Sequence, residues 1–340
     1  MLFALAAVPG ALIIARFGLV PALLVALLLT AAGSALRGAV ANVTFLYAST
    51  IAMGAGVAIG QTVMPPLVRS WFPQRIGLAT TIYTNGLLIG EILPVALTIP
   101  LVLPLLDNSW RLNFVIWSLP VFATALLLAV AAPRGNGANR AGAGAARRWW
   151  PEWRHPLIWR LGLLLGGVST MYFASNAFLP DYVTAAGRSD LISSALTALN
   201  LGQLPASFAM LGVAGRLLRE PRAYVAMGAL SLASVIGIMV MPGLWIVLWA
   251  GVLGFAGAVT LILTLALPSV LSAPHDVHRT SAGMFTISYS LAMALSVVCG
   301  WLWDVTHRPI AAFVPVAACG LVIVLLASTV RQEDRSASSP

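Results

Sequence analysis

Leu244-Trp-Ile-Val-Leu-Trp-Ala-Gly-Val-Leu-Gly-Phe-Ala-Gly-Ala-Val-Thr-Leu-Ile-Leu-Thr-Leu-Ala-Leu267 runs without a single charged side chain. A helix needs roughly 20 mostly apolar residues to cross a bilayer core of about 30 Å, and this stretch supplies them. Its apolar residues are continuous and do not alternate with polar ones. Since backbone groups in lipid must be satisfied within the spanning structure, only helices or closed barrels can cross, and a continuous run selects the helix. The rest of the chain repeats the pattern. Of 340 residues, 60% are apolar and 9% are charged, whereas soluble chains carry about 25% charged residues.

Working outward, eleven spans are expected, at about 1–15, 19–38, 43–67, 77–100, 112–132, 158–180, 191–213, 223–241, 244–270, 282–302 and 310–330. The net charge of +9 comes entirely from arginine, because the chain has no lysine. Positive residues favour cytoplasmic loops. Taking alternate loops as cytoplasmic gathers Arg16, Arg69, Arg75, Arg134, Arg140, Arg147, Arg148, Arg154, Arg160, Arg216, Arg219, Arg222, Arg279, Arg331 and Arg335, leaving only Arg37, Arg111, Arg188 and Arg308 opposite. This bias predicts a cytoplasmic C-terminus and places the charge at a membrane surface, with no nucleic-acid partner.

Residues 133–157 contain Gly135-Asn-Gly-Ala-Asn-Arg-Ala-Gly-Ala-Gly144, a flexible linker composition. It divides the chain into an N-terminal bundle (1–132), a linker (133–157), a C-terminal six-helix bundle (158–330) and a tail (331–340). Internal repeats are common in transporters, and the halves match. Asp107-Asn-Ser-Trp-Arg111 answers Asp304-Val-Thr-His-Arg308, Arg16-Phe-Gly18 answers Arg216-Leu-Leu-Arg219, and Arg75-Ile-Gly77 answers Arg279-Thr-Ser-Ala-Gly283. In this register the first span pairs with the seventh, so the sixth has no partner. The expectation is a first helix absent from the given sequence, with twelve spans in the complete protein. A cleaved signal peptide is the competing reading, but no charged leader or small-residue cleavage site supports it.

Six plus six spans around a linker resemble the major facilitator superfamily. Arg16-Phe-Gly18 resembles a remnant of its loop motif, with Ala11 and Ala15 in place of the motif's Gly and Asp. Further segments resemble the cyanate permease and 2-nitroimidazole transporter subfamily: Gly54-Ala-Gly-Val-Ala-Ile-Gly-Gln-Thr-Val-Met-Pro65, Phe72-Pro-Gln-Arg-Ile-Gly-Leu-Ala-Thr-Thr-Ile-Tyr83, Phe178-Leu-Pro-Asp-Tyr182, Asn200-Leu-Gly-Gln-Leu-Pro205 and Gly300-Trp-Leu-Trp-Asp-Val-Thr306. The resemblance implies an all-α major facilitator fold of two pseudo-symmetric bundles that move solute by alternating access, and a monomer working in the lipid bilayer.

Polar groups inside spans are costly facing lipid and useful facing a cavity. Ser169, Tyr172 and Asn176 share one helical face, and Ser193, Thr197, Asn200, Gln203 and Ser207 form a stripe of the same period. Packing hydrogen bonds between helices are the alternative for the small ones. Substrate-lining candidates are Gln61, Tyr83, Asn85, Tyr172, Asn176, Asn200, Gln203 and Tyr289, with Thr84, Thr260, Thr264 and Ser290 more simply read as packing. Glu91 is the one acid near the middle of a span and is the proton-coupling candidate, with pairing to a neighbouring helix as its alternative. Asp107 with Arg111 and Asp304 with Arg308 are expected as ion pairs. Pro65, Pro94, Pro180 and Pro205 are expected to kink or break their helices.

Catalytic chemistry is not expected, and neither is a cofactor or metal. His155, His275, His278 and His307 fall in expected loops, and the His275, Asp276 and His278 group reads as solvated. Cys299 and Cys319 lie in spans. A phosphate loop needs a lysine that the chain lacks. The function expected is secondary transport of a small anion or small polar organic solute, possible proton coupling included. Drug or metabolite efflux is the alternative within transport, and a non-transporting receptor or inactive paralogue the alternative outside it.

Overall fold

Local capping chemistry starts the long helices. Asn42 accepts from the backbone N–H of Thr44 (2.8 Å) and Phe45 (3.3 Å), Ser109 from Leu112, and the His155 ring from Leu157, with Pro156 in the first turn. Each satisfies a donor that the helix itself leaves unpaired. The computed structural model describes residues 2–39, 42–132 and 148–327. Residues 133–147 of the expected linker and the expected tail 331–340 lie outside them.

Among the described residues the chain is helical and has no strand. The helices are α1 (Leu2–Phe17), α2 (Leu19–Ala39), α3 (Val43–Trp71), α4 (Ile76–Leu97), α5 (Trp110–Ala131), α6 (Pro156–Ala185), α7 (Ile192–Leu201), α8 (Gln203–Leu217), α9 (Pro221–Val240), α10 (Leu244–Leu271), α11 (Val277–Thr306) and α12 (Val314–Ala327). Among the described residues ten segments are long and apolar enough to cross a membrane, α7 and α8 counting as one with the short turn before them. The stretch 4–17 within α1 is apolar but shorter, so the eleven expected spans become ten and a short helix.

The prolines act less uniformly than expected. α3 runs through Pro65 and Pro66, and α6 runs through Pro180, so these do not end their helices. α4 passes Pro94 and then loosens into a π-helical turn at Thr98–Val102. Only the span holding Pro205 is interrupted, at Gly202, which keeps right-handed helical angles (φ −57°, ψ −23°) between α7 and α8.

The helices group into two compact units. Unit 1 comprises Met1–Pro73, Gly86–Arg154 and Ser272–Thr286; unit 2 comprises Gln74–Asn85, His155–Leu271 and Ile287–Pro340. In unit 1, α2 packs on α3 and α5, and α1 packs on α3. In unit 2, α9 packs on α10 and α12, and α7 and α8 pack on α10. That is the same pairing scheme in the repeat register. The helix without a counterpart in that register, α6, packs on α10 and α12. Apolar side chains fill both interiors: Ile14, Ala22, Ile59, Val63 and Leu67 in unit 1, and Leu164, Leu179, Ile246, Ile262 and Phe313 in unit 2.

Candidate functional site

One helical turn separates Tyr172 from Asn176 on α6, and α7 packs against that helix. The contact brings Asn200 between them. The Tyr172 hydroxyl donates to Asn200 Oδ1 (3.0 Å), and Asn200 Nδ2 donates to Asn176 Oδ1 (3.0 Å) and to the Leu196 carbonyl (2.9 Å). Asn176 Nδ2 donates to the Tyr172 carbonyl (2.9 Å). An amide nitrogen has two hydrogens, so both of Asn200's are engaged while Asn176 keeps one. All three side chains are only partly buried. On the same face, Ser169 Oγ lies 3.3 Å from Ser288 Oγ.

The division at Gly202 has a chemical cause in Pro205. Proline has no N–H and its ring crowds the carbonyl four residues back, here that of Leu201, the last residue of α7. Gln203 opens α8 and is buried, at 7% exposure. One turn on, the Ser207 carbonyl accepts from Asn85 Nδ2 (3.5 Å), while Asn85 Oδ1 is buried with no hydrogen-bond partner among the described residues. Tyr83 also belongs to unit 2, and its hydroxyl is likewise buried and unpartnered. Tyr289, on the part of α11 within unit 2, is half-buried. Unit 2 therefore holds seven of the eight lining candidates. Gln61, half-buried on α3, and Glu91, exposed on α4, belong to unit 1.

Several expectations change. Ser193 and Thr197 are exposed, so their stripe continues to Asn200 but not into a buried wall. Thr84 and Thr260 are buried and bond to carbonyls of their own helices, which is a packing role. Thr264 Oγ1 is buried without a partner among the described residues. Asp107 and Arg111 form no ion pair, because Asp107 and Asn108 take left-handed backbone conformations (φ 51° and 59°) and interrupt the helix between them and α5. His307 (φ 53°) does the same at the end of α11, so Asp304 and Arg308 are also unpaired with each other. His278 sits in α11, not in a loop, and is 9% exposed with Nε2 3.3 Å from the Arg148 carbonyl. The solvated reading of that cluster therefore fails for it. Its neighbour Arg279 donates to Asp276 (2.6 Å) and to the Trp150 carbonyl (2.8 Å). Among the described residues no group of three or more potential ligands is placed to hold a metal. Cys299 and Cys319 are buried and free.

The sequence reading missed Ser288, which meets Ser169, and Ser175, buried on α6 with an unpartnered hydroxyl. Ser288 lies seven residues after Ser281 on α11, so polar positions two turns apart were the signal that could have found it.

Residues 1–297 match the family model described as Major Facilitator Superfamily. Among curated proteins, the chain is 26% identical over 307 residues to the 2-nitroimidazole transporter of Escherichia coli, covering 89% of this chain and 76% of that protein. It is 30% identical over 264 residues to the cyanate transport protein CynX of the same organism, covering 76% of this chain and 65% of that protein, just under two thirds of its length. Among solved structures, the transporter FucP in its outward conformation superposes with a TM-score of 0.71 at 17% identity, over 97% of this chain and 88% of that one.

Proposed function

The chain belongs to the Major Facilitator Superfamily, and from that premise we propose that it is a secondary transporter carrying a small anion or small polar organic solute by alternating access. The observation that carries this reading is the partly buried Tyr172, Asn200 and Asn176 network at the α6–α7 contact, beside a span divided at Gly202. A neutral set of donors and acceptors holds a polar solute without binding it irreversibly. Pro205 offers no N–H to the Leu201 carbonyl four residues back, a backbone acceptor that a solute can use. Gln203, Tyr83, Asn85 and Tyr289 extend the lining within unit 2, and Gln61 is the lining residue assigned to unit 1.

The relatives' names supply the first solutes to try, 2-nitroimidazole and cyanate. In this reading the C-terminus lies on the cytoplasmic side, as the arginine bias favours, and the membrane is a bacterial inner membrane, as the likeness to the two bacterial transporters suggests. Glu91 is the proton-coupling residue of the proposal, because it is the one carboxylate in the middle of a span. The two bundles on either side of the linker are the moving parts.

The test uses the full chain in proteoliposomes with labelled 2-nitroimidazole and labelled cyanate. Uptake of one of them above empty vesicles is expected, and Asn200→Ala should reduce counterflow exchange. Solute binding with no flux in either direction would replace the transporter reading with the receptor reading. Glu91→Gln should abolish uptake driven by a proton gradient and spare exchange; unchanged gradient-driven uptake would remove Glu91 from the coupling role.

A further inference from the structure

Four arginines stand against the charge bias, and the structure explains only some of them. Arg188 is held by Asp190 through two hydrogen bonds, 3.0 and 2.9 Å. Arg37 and Arg111 have no carboxylate within ion-pair distance among the described residues. Both lie at one corner of unit 1, where the end of α2 meets the start of α5 so closely that a Cβ on Gly38 would run into the Arg111 carbonyl. The Arg37 guanidinium stacks on the Phe114 ring, 4.2 Å from its centre, and the Arg111 guanidinium lies 5.4 Å from the Trp110 ring. The two rings themselves meet edge to face at 6.0 Å. Arg37 Nη1 reaches only the Met53 sulfur, at 3.5 Å, a weak acceptor. Its Nε is buried with no acceptor among the described residues.

A half-buried guanidinium with a free N–H and no counter-ion has a desolvation cost that an anion would relieve. The ends of α2 and α5 are the depth at which a bilayer presents its headgroups, and aromatic rings concentrate there. Below this corner, α5 exposes Leu112, Leu119, Phe122, Leu126 and Leu127, each at 50% or more, an apolar surface suited to acyl chains. Arginine pairs with phosphate oxygens through a planar fork and stacks on aromatic rings at the same time. We propose that Arg37 and Arg111, backed by Phe114 and Trp110, bind the phosphate of an anionic phospholipid whose acyl chains lie along α5. The site is separate from the solute-lining residues and does not depend on the transport reading.

The experiment measures lipid retention by native mass spectrometry on the full chain in detergent, titrated with phosphatidylglycerol or phosphatidylcholine. Tighter binding of phosphatidylglycerol is expected. Each arginine near an anionic surface contributes about 1 kcal/mol, so Arg37→Gln with Arg111→Gln should weaken phosphatidylglycerol binding roughly thirtyfold. Arg188→Gln should leave it unchanged. If the double variant does not accumulate, Arg111→Gln alone, whose side chain stacks on the exposed Trp110, should weaken binding about fivefold. Equal retention of both lipids, undiminished binding in the variants, or displacement of the lipid by inorganic phosphate at equal concentration would each overturn the proposal, the last by assigning the corner to a free anion.

Discussion

Two seams of the molecule occupy corresponding places in the repeat, α1 on α3 in unit 1 and the α7, α8 pair on α10 in unit 2, yet they are built in opposite ways. The first is continuous and smooth: α1 is unbroken despite Pro9, and Ala7 and Ala11 are fully buried in it. Its polar member, Thr62, bonds chiefly to the Ala58 carbonyl of its own helix (3.0 Å) and reaches the Ala7 carbonyl across the seam only at 3.5 Å. The second is divided at Gly202, and Gly254 sits where any Cβ would overlap the Leu199 carbonyl. On its other side Asn200 enters the network with Tyr172 and Asn176. The same pairing scheme thus supplies a stiff apolar seam in one unit and a polar, interrupted one in the other. A backbone approach this close leaves α7 no room to shift on α10, and that fixes Asn200 against α6.

The largest effect should come from Gly254→Val. Overpacking against backbone that cannot yield costs about 3 kcal/mol or more, read as a lower melting temperature or loss of monodisperse protein in detergent. A variant as stable as the parent would show that the second seam is not tight. Asn200→Ala should come next: it removes three intramolecular hydrogen bonds at about 1 kcal/mol each, so the melting temperature should fall, and with the network gone solute exchange should drop more than tenfold. Tyr172→Phe removes one of them and should cost about 1 kcal/mol of stability, read as a smaller fall in melting temperature than that of Asn200→Ala. At the small end, Thr62→Val in the first seam should leave exchange unchanged and alter stability by less than about 1 kcal/mol. An exchange defect there as large as that of Asn200→Ala would erase the contrast between the seams.

The helices were legible in the sequence because composition in lipid permits little else, and their pairing followed from the repeated Asp-to-Arg and Arg-to-Gly spacings. The face holding Tyr172 and Asn176 was legible from periodicity alone. What was hidden depended on backbone detail that spacing does not encode. Acid and arginine four apart suggest an ion pair only on a continuous helix, and the left-handed residues Asp107, Asn108 and His307 interrupt it. Four prolines looked alike, yet Pro205 alone divides its span, where Gly202 lies three residues before it. His278 looked solvated by composition and is buried because α11 begins at Val277, five residues before the expected span, and carries His278 in its first turn.

The filled state of Asn200 carries a kinetic meaning. Both of its amide protons already have acceptors, at 3.0 and 2.9 Å, so under the proposed transport reading an arriving solute would have to exchange one partner for another and would gain no new bond outright. Such a swap is close to neutral in free energy. Occupancy is then brief and dissociation quick, and a carrier with short dwell times is limited by its own reorientation, not by release.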